Sequence, residues 1–157
     1  MGHYGLMFLR HPILSLATLL YLGLVGWVTL TPQAASRNGL LWRVEDFLDR
    51  VPVLDRVSVD QLEFAANVLM FIPFGIFFVL LLGRRRWWVA VLMGMVLTVG
   101  IEFAQQFIPH RVSDVRDLVS NTIGTVIGTL LALLLTAAKA RADRQRVAAI
   151  AGSRGSR

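Results

Sequence analysis

Seven polar residues could together bind the polar part of a ligand at a membrane. They comprise three carboxylates, one guanidinium and three amides: Glu102, Asp114, Asp117, Arg111, Gln105, Asn121 and Asn67. A guanidinium can bind phosphate or carboxylate through paired hydrogen bonds, a role open to Arg111 and Arg116. Carboxylates and amides could orient the same ligand. No nucleophile motif, metal-ligand motif or cofactor fingerprint accompanies them, which favours a binding site without catalysis, metal or cofactor.

Long apolar segments must position these residues. Hydrophobic residues make up 55% of the 157 residues and charged residues 17%, against about 25% charged residues in a soluble domain. A helix needs about 20 mainly apolar residues to cross a hydrocarbon core about 30 Å thick. Four segments are long enough: 13–30, 64–82, 87–108 and 118–138. The composition therefore predicts an all-α, polytopic membrane protein with four transmembrane helices in one bundle, 13–138.

The remaining segments complete the predicted organisation. Residues 1–12 form an N-terminal segment, 31–63 a long outer loop and 139–157 a basic tail. Apolar residues recur at helical spacing over 40–48 in the loop. This spacing indicates a short amphipathic helix, either on the membrane surface or packed over the mouth of the bundle. The first apolar segment is longer than a signal-peptide core, so we expect it to be retained as a helix.

Basic residues indicate the orientation in the membrane. Ten of them lie on the side of both termini and of the Arg84-Arg85-Arg86 turn, against six on the other side. Because Lys and Arg are enriched in cytoplasmic segments, both termini are predicted to be cytoplasmic. The net charge of +6 is then a topology signal and does not indicate nucleic-acid binding. The excess of Arg over Lys is typical of a GC-rich bacterial genome, which favours the bacterial cytoplasmic membrane.

The predicted orientation brings the polar residues into one layer. Asn67, Glu102 and Asn121 each lie near the outer end of their helix, below the loop that carries Arg111 and Asp117. Glu102, Gln105 and Gln106 fall within an arc of about 100° on the third helix. The layer predicts a polar pocket open to the outer leaflet. The alternative is a set of interhelical hydrogen bonds that hold the bundle together, worth about 0.6 kcal/mol each.

Glu102 is the least easily explained as a packing residue. An ionised carboxylate near the centre of a membrane helix costs about 2.5–3.5 kcal/mol, and an amide would bond as well at lower cost. Glu102 could be protonated, or it could be ionised and paired with Arg111 or Arg116. Asp114 and Asp117 have a structural alternative, because acids in the first turn favour a helix N-terminus. With Glu102 they could otherwise hold a hard cation or a cationic headgroup.

Glycine and proline mark the packing surfaces. Gly124 and Gly128 form a G-x-x-x-G pair in the fourth segment, which lets a neighbouring helix approach closely. That neighbour belongs either to the same bundle or to a second copy of the chain. Pro73 cannot donate a backbone hydrogen bond, so we expect it to kink the second helix, with Gly75 easing the same region.

The ordered motifs resemble those of the VanZ-like family of small bacterial membrane proteins. The third and fourth apolar segments of this chain, with the loop between them, carry Glu102-x-x-Gln105, Asp114-x-x-Asp117, Asn121 and Gly124-x-x-x-Gly128. The second segment carries Asn67-x-x-x-Phe71-x-Pro73-x-Gly75. The family's namesake is an accessory protein that raises resistance to the glycopeptide antibiotic teicoplanin. The resemblance therefore implies a role in the cell envelope.

Three kinds of function fit these observations. The first is a binding or accessory protein for a lipid headgroup, a lipid-linked wall precursor or an amphiphilic antibiotic. The second is an enzyme on a membrane-embedded substrate, with Glu102 and Asp114 or Asp117 as acid and base. The third is a small transporter or a transporter subunit, for which self-assembly through Gly124 and Gly128 could supply more helices. The first is preferred, because no catalytic motif is present and the polar residues do not form a continuous route.

Overall fold

The apolar segments fold into helices in the computed structural model, which describes residues 12–31, 58–108 and 114–155. The helices are α1 (Pro12–Leu30), α2 (Val59–Leu82), α3 (Trp87–Gln105) and α4 (Val115–Gly155), and a single 3-10 turn, Arg84–Arg86, links α2 to α3. All four are long and apolar enough to cross a membrane. The described ranges contain no strand. The predicted all-α class with four membrane-spanning helices is confirmed.

Several helix ends differ from the sequence prediction, among them the start of α4 at Val115, three residues earlier than predicted. α2 begins at Val59, five residues earlier than predicted, because Ser58 and Gln61 form a capping box in which each side chain accepts the other's backbone N–H. α3 ends at Gln105, three residues earlier than predicted. Beyond it the chain tightens into turns before Pro109, since a residue preceding proline is disfavoured in the helical conformation.

Contacts between the helix ends define one end of the bundle, which we call the polar end. It comprises the C-termini of α1 and α3 and the N-termini of α2 and α4. The opposite end carries the turn Arg84–Arg86, which follows Gly83 at a φ of 81°. The helices therefore alternate in direction, as the predicted topology requires. Which end faces the cytoplasm stays a prediction, and so does the surface helix over 40–48, which lies outside the described residues.

The backbones of α2 and α4 lie unusually close together. Gly124 packs against the Val68 carbonyl and Gly128 against the Ile72 carbonyl, and a Cβ atom at either glycine would overlap its partner. Gly75 of α2 packs in turn on the α4 backbone at Thr125. The neighbour of the G-x-x-x-G pair is thus a helix of the same chain. Both glycines are buried there, so they offer no surface to a second copy.

Aromatic packing fills the rest of the interface around α2. The rings of Phe74 and Phe78 stack with centroids 4.3 Å apart, and Phe71 packs on Phe74. α1 is attached at the side, where the Tyr21 hydroxyl donates to the Met70 carbonyl and its ring meets Phe77 edge-on. Most of α1 is exposed apolar surface suited to lipid. α2 continues as one helix through Pro73, and the predicted kink stays a prediction.

α4 is much longer than a bilayer requires. Its 41 residues extend about 60 Å at 1.5 Å per residue, twice the thickness of the hydrocarbon core. The helix passes without a break through the boundary predicted between 138 and 139. Lys139, Arg141, Arg144 and Arg146 are exposed on this extension. The basic tail is therefore a helical continuation of the fourth span over its described part.

We expect Gly124→Ala and Gly128→Ala to destabilise the bundle, because each new methyl group would meet a backbone carbonyl of α2. Overpacking of this kind costs about 1–3 kcal/mol. The measurement is the midpoint of thermal unfolding of the purified protein in detergent, which should fall by several degrees. Gly100→Ala is the matched control, since a Cβ there has no neighbour within 4 Å. Equal effects at all three positions would contradict the predicted close approach.

Candidate functional site

A polar stripe runs along the buried side of α4. Asp117, Asn121, Thr125 and Thr129 recur at every fourth residue, which places them on successive turns of one side of the helix. Asn121, Thr125 and Thr129 are at most 3% exposed, and Asp117 is half-buried. The Thr125 hydroxyl donates to the Asn121 carbonyl of the previous turn. The stripe begins at the polar end and continues toward the middle of the bundle.

α3 faces this stripe in a regular antiparallel register. The Asn121 Nδ2 group donates to the buried Thr98 Oγ1 at 2.8 Å, and a Cβ on Gly94 would lie 2.6 Å from Thr125 Cγ2. One turn forward along α3 corresponds to one turn back along α4. This register predicts that Glu102 lies opposite Asp117, as the next pair toward the polar end. The Glu102 Oε1 atom is buried at this level.

α2 contributes an amide to the same point. The Asn67 Nδ2 group donates to Asp117 Oδ1 at 2.7 Å. Asp117 thus accepts a hydrogen bond from Asn67 of α2 and lies one turn from Asn121 on its own helix, and the register predicts Glu102 of α3 across from it. We call Asn67, Glu102, Asp117 and Asn121 the polar cluster. It joins three helices at the polar end of the bundle.

A small recess opens beside the polar cluster at the helix ends. Its cavity volume is about 50 Å³, and its lining consists of Asp60, Glu63, Phe64, Asp114, Arg116 and Asp117. Four of these residues are acidic and one is basic, so the lining has a formal charge of −3. Arg116 Nη1 pairs with Asp60 Oδ2 at 2.9 Å at the exposed rim. Asp117 belongs to both the recess and the polar cluster.

The seven residues singled out in the sequence are only partly brought together. Glu102, Asp117, Asn121 and Asn67 form the polar cluster. The fifth, Asp114, lines the recess and accepts the Arg116 backbone N–H at 2.9 Å, which is a capping contact at the start of α4.

Gln105 and the arginines differ from the predicted pocket. The Gln105 Nε2 group donates to the Thr29 carbonyl at 3.0 Å, and its side chain is 2% exposed. It ties α3 to α1 and does not line the recess. Arg116 pairs with Asp60 rather than with Glu102. Arg111 lies outside the described residues.

Several site residues were missed by the sequence reasoning. Thr98 and Thr125 are buried where α3 meets α4, four residues from Glu102 and Asn121 respectively, and Thr129 is buried four residues beyond Thr125. This spacing was visible in the sequence. Asp60 and Glu63 line the recess because α2 begins at Val59. The Ser58-x-x-Gln61 capping box would have revealed that start.

A metal site does not emerge from the described geometry. Within residues 12–31, 58–108 and 114–155, no three His, Cys, Asp or Glu side chains converge as ligands of one ion. The hard-cation alternative for Asp114 and Asp117 therefore gains no support from their positions.

The fold and the site together define a class of protein: a polytopic helical membrane protein with a polar cluster and an acidic recess at one end of its bundle. The family model described as VanZ/LLP1 matches residues 18–136, and the chain belongs to that family. The match confirms the resemblance read from the motifs and includes every residue of the polar cluster. No curated protein and no solved structure matches the chain.

The α3–α4 register predicts energetic coupling between Thr98 and Asn121. In a double-mutant cycle of Thr98→Val and Asn121→Leu, we expect a coupling of about 0.6–1.7 kcal/mol, the range for hydrogen bonds between membrane helices. The measurement is the free energy of unfolding in mixed micelles. Thr122→Val replaces Asn121→Leu in the control cycle, because the Thr122 hydroxyl donates to the Leu118 carbonyl of its own helix. Coupling as large in the control cycle would refute the predicted pairing.

Proposed function

We propose that this protein is a non-enzymatic binding or accessory protein of the bacterial cell envelope. It receives the polar head of an amphiphile at the polar end of its bundle, while the apolar chain of the ligand stays in the lipid. The partners are membrane lipids, a lipid-linked wall precursor or an amphiphilic antibiotic, and not nucleic acid. The observation that carries the proposal is the Asn67–Asp117 hydrogen bond, which anchors a carboxylate beneath an open recess.

The surroundings of the recess suit an amphiphile. The helices below it expose apolar side chains, among them Phe103 at 61% and Val119 at 46%, where an acyl or prenyl chain would lie. The rim carries ion-paired groups, Arg116 and Asp60, at the level where a headgroup meets water. A ligand with a polar head and an apolar tail therefore finds both of its environments at this end of the bundle.

The contacts of the carboxylates favour binding over catalysis. Asp117 accepts a hydrogen bond from the Asn67 amide at 2.7 Å, which holds its carboxyl group in one position. Asp114 is engaged with the start of α4. These contacts hold charged groups in fixed positions for recognition. A catalytic role would instead require one of these carboxylates to exchange a proton with a substrate.

Close helix packing favours binding over transport. The polar stripe of α4 reaches Thr129, deeper than expected, and could suggest a path through the bundle. Gly75 and Gly94, however, bring α2 and α3 against the same part of α4, with no room for even a methyl group at either glycine. A substrate path there would require the helices to separate.

Family membership supports a role in the envelope. The namesake of the family is a teicoplanin-resistance accessory protein, and an acylated glycopeptide and a lipid-linked precursor are both amphiphiles. The predicted orientation places the polar end on the outer side of a bacterial cytoplasmic membrane, where such ligands are found. A second copy of the chain is a further candidate partner, through surfaces other than Gly124 and Gly128.

The test is selective retention of an amphiphile by the purified protein. Wild-type protein extracted with its surrounding lipids should be enriched in one amphiphile class relative to the bulk membrane, as measured by mass spectrometry. Glu102→Gln and Arg111→Ala should each lower that enrichment about tenfold, the effect of losing one charged hydrogen bond. In cells, both variants should also change sensitivity to envelope stress and to teicoplanin.

The control is Asp143→Asn, which neutralises an exposed carboxylate on the α4 extension and should leave retention unchanged. Protein whose lipids match the bulk membrane in composition would contradict the proposal. Folded Glu102→Gln and Arg111→Ala variants with wild-type retention and sensitivity would contradict it equally.

A further inference from the structure

We infer that the end of the bundle opposite the polar end binds the phosphate groups of anionic phospholipids. The site is a basic collar, which we define as five exposed cationic side chains from the α2–α3 turn and from α4: Arg84, Arg85, Arg86, Lys139 and Arg141. This inference is independent of the proposed function, which concerns the other end of the bundle. In the sequence these charges indicated only the orientation in the membrane.

Helix packing brings the two parts of the basic collar to one level. α2 and α4 run in the same direction, with Ile72 beside Gly128, and the apolar core continues along both helices beyond this contact. Ten residues after Ile72, α2 ends at Leu82, which therefore lies about level with the residue before Lys139 on α4. The turn Arg84–Arg86 follows directly, so its arginines lie at about the height of the collar residues on α4.

The fold does not neutralise the charge of the basic collar. In the described stretches 83–88 and 138–148, Asp143 is the one acidic residue. Four collar side chains have no ion-pair partner among the described residues: Arg84, Arg85, Lys139 and Arg141. At the polar end, by contrast, Arg116 is paired with Asp60. Because like charges at one level repel each other, anions bound at the collar would stabilise this end of the bundle.

Two tryptophans indicate that the collar lies at the surface of the bilayer. Trp87 and Trp88 directly follow the three arginines of the turn and are 47% and 55% exposed. Tryptophan is enriched where membrane meets water, because its ring is apolar and its N–H group is polar. The arginines beside this pair are therefore at the height of the lipid headgroups. The anion at that height is a lipid phosphate, which a guanidinium binds through paired hydrogen bonds.

The remaining cations of the α4 extension lie too far from the bilayer to share this role. The headgroup layer is about 5–7 Å thick on each side, whereas Arg144 and Arg146 lie about 9–12 Å beyond Ala138 along the helix. The attraction of a charged membrane surface decays over a Debye length of about 8 Å. Arg144 and Arg146 also lie about 160° apart around the helix, so they do not form one face for a protein partner. Binding of lipid phosphate is therefore confined to the collar.

The experiment measures lipid binding to the detergent-solubilised, full-length protein by native mass spectrometry. The anionic probe is phosphatidylglycerol, and the neutral probe is phosphatidylcholine. We expect wild-type protein to bind phosphatidylglycerol about thirtyfold more tightly. The double variant Arg85→Gln with Arg141→Gln should lose most of this preference, since each basic residue near a membrane surface contributes about fivefold in affinity.

The matched control removes the same charge from the α4 extension. Arg144→Gln with Arg146→Gln should change the preference by less than about twofold. Arg85→Lys with Arg141→Lys keeps the charge of the collar and should keep most of the preference. If the collar variant does not fold, Arg84→Gln and Lys139→Gln test the two parts of the collar singly, each with an expected loss of about fivefold.

Three results would overturn the inference. The first is wild-type protein that binds the two lipids equally. The second is an equal loss of preference in the collar variant and the extension control, which would show an effect of net charge alone. The third is tighter binding of a short RNA duplex than of phosphatidylglycerol, which would indicate a nucleic-acid surface. The proposed function at the polar end would stand in the first two cases, because its test uses other residues.

Discussion

The close approach of α2 to α4 is the constraint on which the rest of the structure depends. Gly124 and Gly128 lie directly under carbonyl groups of α2, and no other residue type leaves that space free. This contact fixes the lengthwise position of α2 relative to α4. Asn67 consequently reaches Asp117, and Asp60 reaches Arg116. In a bilayer, where apolar surface gains nothing by leaving lipid, such close packing is a main source of helix association.

The polar cluster follows from that packing and adds to it. Hydrogen bonds between membrane helices are individually weak, about 0.6 kcal/mol on average. Thr98 paired with Asn121 is therefore a modest contribution to stability, and an apolar pair would serve nearly as well. A carboxylate is a different matter, because its burial is costly unless other groups compensate. An amide in place of Glu102 would hold the helices at lower cost, so this carboxylate is consistent with the proposed binding role.

Hydropathy alone predicted the four helices, since a membrane leaves few alternatives for an apolar segment of about 20 residues. Motif spacing likewise identified Asn67, Glu102, Asp117 and Asn121 as residues of one layer. The direction of each side chain was harder to predict. Glu102 and Gln105 are only about 60° apart around α3, yet one faces α4 and the other binds α1. Which helices are neighbours cannot be derived from the sequence, so the different directions of Glu102 and Gln105 could not be predicted from it. The partner of Arg116 was missed for a related reason, because the first turn of α2 was assigned to the loop.

The central claim is that Glu102 of α3 and Asp117 of α4 face each other across the bundle interior. Because the chain contains no cysteine, the double variant Glu102→Cys with Asp117→Cys can be treated directly with a short bifunctional thiol reagent in native membranes. We expect efficient cross-linking of this pair and little for Phe103→Cys with Asp117→Cys, since Phe103 is 61% exposed on another face of α3. Cross-linking of the Phe103 pair in preference to the Glu102 pair would contradict the register and the site built on it.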